Sequence, residues 1–105
     1  MNTKSILPRT TDTSDADAIL IAVCDVWNVT ADEMLGRSRR QPIAFARQVA
    51  MALTYEMTSM SLHDVGDYYG GRDHGTVIWA RSVVSNASQD KDVKKLIKTV
   101  NQSIK

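Results

Sequence analysis

Apolar residues recur along this chain at intervals of three and four. No segment alternates apolar and polar positions for long enough to predict a strand. The most regular stretch is 43–57, where Ile43, Ala46, Ala50, Leu53 and Met57 fall on one helical face. Upstream, "SDADAILIAVCDVW" predicts a helix capped by Ser14, with acids in its first turn and an apolar run from Ala18 to Trp27. "TADEMLG" predicts a second, short helix, with Thr30 and Glu33 at capping-box spacing and Gly36 as its stop. "RSRRQP" is then a basic loop, and its Pro42 suits the first turn of the 43–57 helix. Residues 1–13, polar and containing Pro8, read as a flexible tail ahead of one domain over 14–105.

The second half also reads as helices, without an internal repeat. In "SLHDVGDYYGG", Ser61 caps a short helix over about 61–69, Asp64 takes its third position, and Gly70 or Gly71 ends it. Asp73 caps the next helix, whose apolar stripe is Val77, Ala80, Val84 and Ala87. A last helix begins near Asp90 and buries Val93, Leu96 or Ile97, Val100 and Ile104. Its lysines, Lys91, Lys94, Lys95 and Lys98, lie off that stripe and read as a solvated face. The expected fold class is all-α, a compact bundle of about six helices.

Composition changes this picture in three places. With 105 residues, 43% of them apolar, the chain has material for one thin core. No run approaches the roughly 18 apolar residues of a membrane span, and the start has no apolar h-region, so neither membrane insertion nor secretion is expected. The one cysteine, Cys24, permits no intrachain disulfide and reads as a small core residue, which fits a reducing, cytoplasmic interior. Net charge is +1 and names no partner, but Arg37, Arg39, Arg40 and Arg47 crowd together. Two histidines and one cysteine at these spacings make no zinc site, and His63 reads as a surface residue. No carboxylate pair or nucleophile–base set stands out, and no G-x-x-x-x-G-K-[ST] phosphate loop occurs. A non-enzyme without metal or cofactor is expected.

Two short helices joined by a glycine-containing turn, here "GGRD", form a helix-turn-helix. The second helix of that motif enters the DNA major groove by its N-terminal end. This accounts for "GGRDHGTVIWA", which gathers hydrogen-bonding side chains at the start of a helix. His74 and Thr76 offer hydrogen bonds or a methyl to base edges, while Asp73 either accepts from cytosine N4 or caps its own helix. Gly75, Trp79, Ser82 and Asn86 point away from the stripe, and Trp79 either faces the groove or packs against Val83.

The stretch "IAFARQVAMALTYEMTSMSLHDVGDYYGGRDHGTVIWA" resembles the C-terminal DNA-binding domain of the DnaA replication-initiator family, with a basic loop just upstream. The resemblance implies a Trp-repressor-like helical fold and A·T-rich "DnaA box" sites in double-stranded DNA. It implies a minor-groove arginine from the loop of Arg37, Arg39 and Arg40, with Arg39 the first choice. It further implies major-groove reading by Asp73, His74 and Thr76, and backbone support from Arg47, Gln48 and Leu62, with Arg72 of the turn completing the set. Three positions depart from the family pattern. Gly75 stands where it has threonine, His63 where it often has proline, and Tyr55 where it has a phosphate-reaching lysine. The function expected is a replication or transcription regulator without ATPase activity. The alternative is an interaction module that keeps the initiator fold and docks on the replication-initiation machinery.

Overall fold

Side-chain capping sets the starts of three helices. The computed structural model describes residues 9–104, and every regular element among them is a helix: α1 (Arg9–Trp27), α2 (Ala31–Leu35), α3 (Ile43–Met57), α4 (Leu62–Tyr68), α5 (His74–Ala87) and α6 (Lys91–Ile104). Thr30 and Glu33 form the capping box of α2, and Ser61 and Asp64 form that of α4. The α3 boundaries coincide with the apolar stripe that predicts them.

The first boundary differs from expectation. Helix α1 begins at Arg9, not at Ser14, so residues 9–13 are helical and not a tail. The physical reason is that "RTTDTSD" contains no glycine or proline to interrupt a helix already formed downstream. The remainder of the expected tail, residues 1–8, lies outside the described residues.

Helix α3 is the hub, packing against α1, α2, α4 and α5. Burial there extends beyond the expected stripe to Val49, Met51, Ala52 and Thr54, because neighbours cover the helix on most sides. Fully buried Tyr69, just after α4, reaches back to it, its hydroxyl 2.9 Å from Thr54 Oγ1. Burial without that partner would leave a costly unsatisfied hydroxyl. Val65, Val77 and Ala80 complete this part of the core. Helix α6 lies against α1 through buried Val100, with Ile97 and Ile104 packed on the core. Its lysines 91, 94, 95 and 98 are exposed. No helix among the described residues is long and apolar enough to cross a membrane.

Candidate nucleic-acid interface

Two glycines, Gly66 inside α4 and Gly70 just after it, shape the turn between α4 and α5. The Gly66 carbonyl accepts from the N–H groups of Gly71 (3.1 Å) and Arg72 (2.9 Å), folding the chain back on α4. A Cβ at Gly66 would collide with the backbone carbonyl oxygen of Arg72. Gly70 adopts φ of +90°, a region that favours glycine, and a Cβ there would strike the carbonyl oxygen of Leu35 at the end of α2. The helix-turn-helix therefore lies flush against the segment that leads into the basic loop.

Two arginines lock that junction. Arg47 of α3 is only 6% exposed. Its Nε donates to the Met34 carbonyl (2.7 Å), and its Nη1 and Nη2 donate to the carbonyls of Ser38 and Glu33 (2.8 Å each). Arg72, from the turn, donates to the carbonyls of Tyr69 and Gly36. The last carbonyls of a helix lack partners within it, so these guanidinium groups terminate α2 and hold the root of the loop. The resemblance implies backbone support from Arg47. In this structure three of its N–H groups go to protein carbonyls. Burial lowers its pKa, and burial followed by repulsion from Arg47 and Arg37 lowers that of Arg72.

The loop that this clamp roots carries Arg37, Arg39 and Arg40, all exposed. Close by, α5 presents its N-terminus. Asp73 Oδ1 accepts from the Thr76 N–H and from Thr76 Oγ1, both at 2.9 Å. Asp73 is thus the helix cap in this structure, and those two bonds hold its carboxyl below the usual carboxylate range. His74, Gly75 and Thr76 are exposed on the first turn. Gln48 and Leu62 are half-buried, Leu62 against the core. His63 is a surface residue, its Nε2 3.2 Å from Asp67 Oδ2. Cys24 is part-buried against the core, and desolvation pushes its thiol up.

One feature was left open in the sequence and one went unread. Trp79 is 64% exposed, which settles its two readings in favour of solvent. Arg81 of α5 holds its guanidinium carbon 4.6 Å from the Tyr55 ring centroid. A cation from the neighbouring helix therefore stands over the Tyr55 ring.

The family described as bacterial dnaA protein helix-turn-helix matches residues 16–84, from within α1 to well into α5. The chain belongs to that family. Among similar proteins is the chromosomal replication initiator protein DnaA of Synechococcus sp. (strain JA-2-3B'a(2-13)), 44% identical over 70 residues, covering 67% of this chain and 15% of that protein. The DnaA of Chlorobaculum tepidum is 36% identical over 95 residues, 89% of this chain and 19% of its own length. That of Laribacter hongkongensis is 36% identical over 103 residues, 97% of this chain and 21% of its own length. The chain thus spans about a fifth or less of these relatives. As a DnaA-type helix-turn-helix it is a DNA-binding unit.

Proposed function

We propose that this domain binds double-stranded DNA sequence-specifically at A·T-rich, DnaA-box-like sites. Helix α5 enters the major groove, and the basic loop enters the adjacent minor groove, where a narrow A·T groove attracts arginine. The observation that carries the reading is the clamp. Arg47 and Arg72 together fix one end of the loop bearing Arg37, Arg39 and Arg40 beside the exposed start of α5. Loop and helix then present as a unit, so little ordering cost remains on binding. His74 and Thr76 read base edges, Asp73 braces Thr76, and Arg39 is the minor-groove residue.

The chemistry requires no nucleotide, since these 105 residues contain no G-x-x-x-x-G-K-[ST] loop. The role that fits is regulation of replication or transcription at initiator sites, in the cytoplasm on the nucleoid.

His74→Ala tests the reading. Binding to a DnaA-box duplex should lose about 1–3 kcal/mol of discrimination against a scrambled duplex. Non-specific binding, which rests on phosphates, should hardly change. Discrimination that survives intact in the folded variant would remove His74 from base reading.

A further inference from the structure

Four large apolar side chains are exposed among the described residues: Ile21 (67%), Leu35 (36%), Ile78 (48%) and Trp79 (64%). Ile78 and Trp79 are consecutive on α5. At 100° per residue they fall on the side opposite buried Val77, Ala80 and Val84, in company with Gly75, Ser82 and Asn86. A tryptophan left largely in water is apolar area that a partner can cover.

Gly75 narrows the choice of partner. Backbone geometry demands glycine at 66 and 70, as described above, but not at 75. A Cβ at Gly75 would meet only Asp73 Oδ1, at an ordinary 3.5 Å. Glycine is also a poor helix former. What it leaves is open space one turn ahead of Trp79. Long side chains on a helix lean toward its N-terminus, and positions i and i+4 share a face. Trp79 shares that face, and no atom of its indole comes within 4 Å of where a Cβ at 75 would sit.

We infer that Trp79 contacts thymine 5-methyl groups in the major groove, with Gly75 leaving the turn ahead of it open to the bases and Ile78 flanking it. The inference rests on the proposed base reading by α5 and names a further specificity residue for it. Apolar contact with the methyl is how such side chains single out thymine. The charge of the face agrees. Residues 74–87 contain no aspartate or glutamate, so a phosphate-walled groove meets no carboxylate there. Exposed Ile21 differs in this respect. It borders a hollow of about 280 Å³ that Asp25 also lines, and Asp25 is exposed.

The test binds wild type, Trp79→Ala and Trp79→Phe to a DnaA-box duplex and to copies with single thymines replaced by deoxyuridine, which removes only the methyl. At one or more positions, the replacement should weaken wild type about fourfold, the worth of one buried methyl. Trp79→Ala should already bind the all-thymine duplex that weakly and should not respond to the replacement. Trp79→Phe should keep part of the response. Both variants should melt with wild type, since the residue is exposed. Indifference of wild type to every replacement overturns the inference. So does a response that Trp79→Ala retains in full, which would give the methyl contact to another residue. A wild type that binds DnaA-box and scrambled duplexes equally overturns base reading itself, and the inference with it.

Discussion

Arg47 and Arg72 differ from Arg37, Arg39 and Arg40 in what they do with the same guanidinium. The first two spend their N–H groups on backbone carbonyls between Glu33 and Tyr69. The other three stand exposed on the loop so anchored. A planar guanidinium suits both tasks, because its fork bonds several oxygens at once and keeps its charge. The contrast teaches that a basic cluster in a sequence has an inner and an outer layer. The inner layer shapes the loop, and the outer layer is available to phosphates.

The largest expected effect separates these layers by stability. Arg47→Ala removes three hydrogen bonds and leaves carbonyls short of partners inside the fold. It should cost about 2–4 kcal/mol. For a domain of this size that lowers Tm by roughly 10 °C or more. Arg47→Lys should recover little, since an ammonium cannot span the three acceptors. A thermal melt that does not move would return Arg47 to the outer layer.

A smaller effect is expected on the other side. Arg39→Ala should leave Tm within about 1 °C, because the side chain is exposed. Its effect should appear in DNA titrations. The slope of log K against log salt should flatten by about one phosphate's worth or less, with extra loss on A·T-rich duplexes. Unchanged affinity and slope would make the loop merely solvated.

Much of this architecture was legible because local chemistry wrote it. The stripe from Ile43 to Met57 marks α3, and Thr30, Ser61 and Asp73 mark three helix starts with their own side chains. The start of α1 was not legible, since Ser14 resembles a cap yet nothing before it stops the helix. The dual use of the arginines was only half legible. Arg47 falls on the same helical face as Ile43 and Ala50, which hints at burial. Its acceptors lie 9 to 14 residues upstream, and the Gly36 acceptor of Arg72 lies 36 residues away. Periodicity carries no information at that range. The same holds for Tyr69, whose partner Thr54 is 15 residues distant. Gly75 was visible as a departure, but that no backbone contact requires glycine there needed coordinates.

The central claim is that the start of α5 reads bases while the outer arginines hold phosphates. The most direct measurement titrates the wild-type domain against a DnaA-box duplex and a scrambled duplex across a range of salt. Both curves should fall linearly in log–log form with similar slopes, because phosphate contacts ignore sequence. The DnaA-box curve should lie at least about tenfold tighter at every salt, as one good base contact requires. Coincident curves would show that the domain holds DNA without reading it.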